Sequence, residues 1–129
     1  LNGFLLDTSV ALLAVDVPER VTHSVRTAIE QGPAFLSAIS FWEVMIKFQK
    51  GKLDVGDPRQ WWIETLAALA LQPLLHRPEH IAAIYDLPPI HQDPFDRALI
   101  AQAMVEDLTF LTTDRAILRY ASASFRVIE

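Results

Sequence analysis

Four acidic residues, Asp7, Glu43, Asp96 and Asp114, are placed so that, if they meet, they form a pocket made almost wholly of carboxylate oxygen. Carboxylates about 5 Å apart repel by roughly 3 kcal/mol per pair at an effective dielectric near 20. A fold that gathers four of them must share protons among them or seat a divalent cation, and an oxygen-only ligand set favours magnesium or manganese. The chain contains no Cys and only four His, which removes zinc ribbons, thiol nucleophiles and iron–sulfur sites. Thr8, Ser9, Ser40, Thr112 and Thr113 flank the acids with hydroxyls able to orient carboxylates or bond to water around a cation; Thr8, Ser40 and Thr112, with Asp93, are the expected supporting groups. Arg97 and Arg115 are the candidates for steadying a phosphate.

Positioning these acids requires a sheet edge. Phe4 to Leu6 reads as a short strand ending at Asp7, and Thr8 to Val15 as a helix; Pro18 is expected to open a second helix that Gly32 stops. Ala34 to Leu36 is a second strand, after which Ser37 caps a helix running to about Lys50, before Gly51. Asp57 and Pro58 start a helix through Trp61, Trp62, Leu66 and Leu69, and Leu71 to Leu75 is a third strand. Pro78 begins a helix to about Leu87, and Asp93 with Pro94 begins another that ends near Asp107. Thr109 to Thr112 is a strand, Asp114 to Tyr120 a short helix, and Phe125 to Ile128 a last strand. Alternation of short apolar strands with helices predicts an α/β fold: three αβα layers around a parallel sheet of four to five strands. Ligands of open parallel sheets bind beyond the carboxyl ends of the strands, where Asp7 and Asp114 fall.

Each acid has a structural reading as well. Asp7 and Asp114 fit helix N-caps, worth about 1 kcal/mol each. Asp93 fits one better, with Pro94 at the first helical position and Arg97 four residues on for a weak ion pair. Glu43 fits a surface pair with Lys47 at i+4, but its helical neighbours Ile39 and Ile46 are apolar, and an unpartnered carboxylate on that face is costly. Asp96 is similar, with Ile100 and Ala103 on its stripe.

A chain of 129 residues fits one domain, taken as residues 1–129, and 51% hydrophobic content supplies its core. Net charge is −5, the wrong sign for passive adhesion to nucleic acid, yet four units of it lie in the acids named above and are open to neutralisation by cations. No apolar run reaches the roughly 18 residues of a membrane span, and Leu1 to Leu6 lacks the basic flank of a signal peptide, so a cytoplasmic protein is expected. A start at Leu1 rather than Met suggests an alternative start codon or a trimmed chain. Glycines at positions 3, 32, 51 and 56 form neither G-x-G-x-x-G nor a P-loop.

The segments Leu5-Leu6-Asp7-Thr8, Ser37 to Glu43 followed by Lys47, Gly51 and Lys52, His91-Gln92-Asp93-Pro94-Phe95-Asp96-Arg97 running on to Ala103, and Leu111 to Asp114 together resemble the PIN-domain ribonucleases, most closely the VapC toxins of bacterial toxin–antitoxin pairs. The resemblance spans nearly the whole chain. It implies a Rossmann-like or flavodoxin-like sheet, a Mg2+- or Mn2+-dependent endoribonuclease acting on RNA, a cognate VapB-like antitoxin that occludes the site, and a homodimer. By position Asp7, Glu43, Asp96 and Asp114 match the family's acidic quartet as catalytic and metal-holding residues, with Asp93 peripheral. Ser9 departs from the pattern, since close relatives often carry His there. The competing readings are a degenerate PIN domain that binds RNA or a protein without cutting it, and a receiver-like phosphoacceptor module. A phosphatase with an Asp nucleophile is disfavoured, because Ser9 stands where its second acid belongs.

The helix from Ser37 to Lys50 carries Ile39, Phe41, Trp42, Val44, Met45, Ile46 and Phe48, apolar on more than one face. With Trp61 and Trp62, this surplus suits either a partner's helix or dimer contact, or a helix wedged within the core.

Overall fold

A computed structural model describes residues 2–129; Leu1, on which the expectation about the chain start partly rests, lies outside the described residues. The strands are β1 (Phe4–Leu6), β2 (Ala34–Ser37), β3 (Gln72–Leu74), β4 (Thr109–Leu111) and β5 (Val127–Ile128). The α-helices are α1 (Thr8–Asp16), α2 (His23–Gln31), α3 (Ala38–Gln49), α4 (Pro58–Ala68), α5 (Pro78–Ile84) and α6 (Pro94–Glu106). Every strand pairing is parallel and the order is β3-β2-β1-β4-β5, the Rossmann-like alternative. Strand order reverses between β1 and β4, so a crevice opens at their carboxyl ends.

Successive strand residues point to opposite faces, and each face is covered. Leu6, Leu36 and Leu111 pack with Val10, Val25, Val44 and Trp61 on one side; Leu5 and Phe110 pack with Leu99, Ile100, Ile117 and Phe125 on the other. Both Leu5 and Leu6 are 0% exposed, which explains why β1 is an unbroken apolar run instead of an alternating one.

Local chemistry starts and ends the helices that carry the acids. Ser37 accepts a hydrogen bond from the Ile39 amide at the head of α3, and Asp93 accepts from the Phe95 and Asp96 amides at the head of α6. At the other end of α3, Gly51 has φ +72°, and the Lys52 amide reaches back to the Lys47 carbonyl, a left-handed cap that favours glycine.

Several boundaries differ from the sequence expectation, among them α5, which ends at Ile84 instead of about Leu87. Pro18 opens only a 3-10 turn, Pro18–Arg20; buried Val21 then turns inward in extended backbone, and Thr22 caps α2 by accepting from the Val25 amide. The segment Arg115–Tyr120 is also 3-10. The last strand begins at Val127, because the Phe125 main chain pairs with Ser122 while its ring packs on Phe110. Proline at position 73 is tolerated because β3 lies at the sheet edge.

Much of the apolar surplus on α3 is used within the chain: Phe41 stacks on Trp62 at 5.0 Å, while Val44 and Trp61 are buried. Trp42 remains 55% exposed, edge-on to Phe95. Among the described residues no helix is long and apolar enough to cross a membrane.

Candidate metal centre

Asp7 leaves β1 with its amide donating to the Leu111 carbonyl of β4 at 2.8 Å, which pins it at the crevice. Its side chain does not cap α1; instead Oδ2 accepts from the Thr112 hydroxyl at 2.7 Å. Thr112 in turn accepts from the Asp114 amide at 3.0 Å, so one buried hydroxyl links the acids after β1 and β4. Asp114 does cap the following 3-10 turn, through Oδ1 and the Ala116 amide.

Glu43 is 4% exposed. Its Oε1 lies 2.7 Å from the Thr8 hydroxyl, which is also 2.8 Å from Ser40 Oγ, and its Oε2 lies 2.6 Å from Lys47 Nζ. The expected i+4 pair therefore exists, but inside the cleft instead of on the surface, because Ser40 and Glu43 face inward on α3.

A cleft of about 230 Å³ is lined by Asp7, Glu43, Asp93, Asp96 and Asp114, with Lys47 as its ammonium group and Ser9 and Thr113 joined at 3.1 Å between their hydroxyls. At this cleft two sets of ligand atoms lie within 4.8 Å inside each set, Glu43 with Asp93 and Asp96, and His91 with Asp96 and Asp114. Asp96 belongs to both; Asp7 lines the cleft outside either set. A larger cleft of about 410 Å³, lined by Ala14, Val21, Ile29 and Leu69, is mostly apolar and gathers no cluster of acids.

Electrostatics match this crowding. Burial, partly offset by the Thr112 hydrogen bond and reinforced by the charges of Glu43 and Asp114, pushes Asp7 up to about 6. Burial, then the charges of Asp7, Asp93 and Glu43, push Asp96 up to about 7, against the influence of His91. Burial disfavours the Lys47 ammonium, but its hydrogen bond to Glu43 and the charges of Glu43, Asp93 and Asp96 hold its pKa above the ordinary value.

These residues fit a divalent cation. Five carboxylates face one ammonium across a small cleft, and Asp96 keeps Oδ1 free of protein hydrogen bonds among the described residues, as Asp7 Oδ1 is free of side-chain partners. A hard cation with oxygen ligands would relieve the repulsion that the raised pKa values express.

Two arginines behave differently from one another. Arg97 does not pair with Asp93. Its guanidinium lies among the carbonyls of Ile84, Leu87, Pro88 and His91, at 3.0 to 3.4 Å, because the loop between α5 and α6 folds over it. Arg115 is exposed, 3.9 Å from Glu129. Sequence reasoning gave no role to His91, whose Nε2 lies 3.0 Å from Asp114 and 3.1 Å from Asp96. The available signal was a histidine within five residues of two acids, in His91-Gln92-Asp93-Pro94-Phe95-Asp96.

A family model described as PIN domain matches residues 4–123. No curated protein matches the chain. Among solved structures, VapBC2 from Rickettsia felis bound to a DNA fragment from its promoter superposes with a TM-score of 0.70 at 13% identity, covering 97% of this chain and 96% of that one. DNA-bound VapBC from Salmonella typhimurium gives 0.68 at 14% identity, covering 99% and 98%. FitAB bound to the IR36 DNA fragment gives 0.61 at 19%, covering 97% and 93%. At these identities the likeness carries the fold.

Proposed function

This chain belongs to the PIN-domain family, and from that premise we propose that it is a divalent-cation-dependent endoribonuclease acting as the toxin of a toxin–antitoxin pair. The observation that carries the activity is the meeting of Asp7, Glu43, Asp96 and Asp114 in one cleft at the carboxyl ends of β1 and β4. Those four would hold Mg2+ or Mn2+, with Asp93 beside them. A cation there supplies a lowered pKa for water and neutralises charge on a phosphodiester. The chain's own part is to hold the acids: Thr112 orients Asp7, Thr8 and Lys47 fix the two oxygens of Glu43, and Asp93 fixes the first turn of α6 so that Asp96 faces the others. Arg115 is the side chain we assign to phosphate contact at the rim, since it is 87% exposed.

The partner reading follows the solved relatives, which are VapBC and FitAB assemblies on DNA. For this chain we propose a VapB-like antitoxin, a homodimer and a cytoplasmic setting. A noncatalytic PIN domain is less favoured because all four acids line the cleft, and a receiver-like module has no use for Glu43 buried in α3. Incubation with single-stranded RNA and Mn2+, with and without EDTA, tests the activity. Cleavage that needs the cation and disappears in Asp96→Asn supports it; EDTA-insensitive cleavage, or none at any cation concentration, overturns it.

A further inference from the structure

We propose that His91 is a positioning residue of the cation centre: its Nε2 stands between Asp96 and Asp114 and sets the spacing of their carboxylates. The inference rests on reading the cleft as a cation site.

The ring's proton is placed by its other nitrogen. Nδ1 lies 3.1 Å from the main-chain amide of Asp93. That amide can only donate, so Nδ1 must present its lone pair, and the proton of the neutral imidazole sits on Nε2. Nε2 is hydrogen-bonded to Asp114 Oδ2 at 3.0 Å and lies 3.1 Å from Asp96 Oδ2, so one ring nitrogen stands between the two carboxylates. With Nδ1 engaged and Nε2 protonated, the ring has no lone pair left for ligating a cation or taking a proton from water. What remains is donation to Asp114 from a nitrogen placed between two acids whose mutual repulsion would otherwise drive them apart.

The arrangement is built across the fold. Asp114 enters from the end of β4 and Asp96 from the first turn of α6, while His91 is held independently of its ring by its own amide, which donates to Tyr120 Oη at 2.8 Å. Removing the imidazole therefore leaves the loop anchored. It takes away the bridge together with the acceptor for the Asp93 amide, and partners of this kind typically change cation affinity by roughly 10- to 100-fold.

The test combines the ring's tautomer with cation affinity. Long-range 1H–15N spectra of the cation-free protein should show Nε2 protonated and Nδ1 bare. Calorimetric titration with Mn2+ alone should show affinity lowered at least about tenfold in His91→Ala and largely restored in His91→Gln, whose amide nitrogen reaches near the same point. A proton on Nδ1, or wild-type affinity in His91→Ala while Asp7→Asn binds no Mn2+, overturns the role of His91 and leaves the cation site standing. Wild-type affinity in both variants overturns the site and the proposal together.

Discussion

The Thr112 hydroxyl donates to Asp7 Oδ2 at 2.7 Å, joining residues 105 positions apart in a wholly buried hydrogen bond. The Thr112 hydroxyl oxygen also accepts from the Asp114 amide, so a single atom carries two links of the cleft. Thr112→Val keeps the shape and removes both. Leaving a buried polar group unpaired costs about 1 to 3 kcal/mol. Urea denaturation should show a loss of that size, and Mn2+ titration should show weaker binding as Asp7 loses its orientation.

Asp96→Asn should separate function from stability. The ionised carboxylate is disfavoured by burial and by Asp7, Asp93 and Glu43, so the neutral amide removes repulsion. In EDTA near pH 8 the variant should melt at or above the wild-type temperature while RNA cleavage with Mn2+ is lost. A melting temperature several degrees lower would refute the electrostatic account.

Stability without a cation should fall as pH rises from about 4 to about 7. Asp7 and Asp96 have folded-state pKa values of about 6 and about 7, against 3.8 for the ordinary carboxylate. Between these limits the folded state holds more protons than the unfolded state. Their contribution is therefore present at low pH and lost as pH climbs through the raised values. At about 1.4 kcal/mol per unit, Asp7 alone accounts for on the order of 3 kcal/mol. Added Mn2+ should reverse the trend, binding more tightly at pH 8 than at pH 5 and releasing protons as it binds, which titration in buffers of different ionisation enthalpy measures.

Arg97 and Arg115 should divide between fold and substrate. Arg97→Ala leaves the carbonyls of Leu87 and His91 without a donor, while those of Ile84 and Pro88 keep the Leu87 and Ile90 amides, and should lower stability by about 1.5 to 3 kcal/mol; Arg97→Lys should not rescue it, since an ammonium cannot reach acceptors spread around a planar fork. Arg115→Ala should leave the melting temperature within a degree and raise KM for RNA. Denaturation curves and cleavage kinetics on both variants decide the assignment.

Elements with strong local chemistry were legible in the residues. Asp57-Pro58 and Asp93-Pro94 mark helix starts that the structure places where expected, and Gly51 stops α3 because its backbone enters the left-handed region. The strands were legible as short apolar runs because both sheet faces are covered. Pro18 misled because a proline at a helix start suits a 3-10 turn equally well, and the choice fell to Val21, which the core draws inward.

The amino-acid sequence by itself determined which acids exist, which strand end or helix each occupies, and that strands and helices alternate around a parallel sheet. Tertiary structure alone decided the strand order, that Arg97 turns to the loop carbonyls, that Lys47 sits inside the cleft with Glu43, and that His91 bridges Asp96 and Asp114. The reason is physical: caps, turns and strand pattern depend on neighbours along the chain, whereas charge repulsion, burial and the direction of a shared proton depend on distances of about 3 Å between residues that only folding brings together.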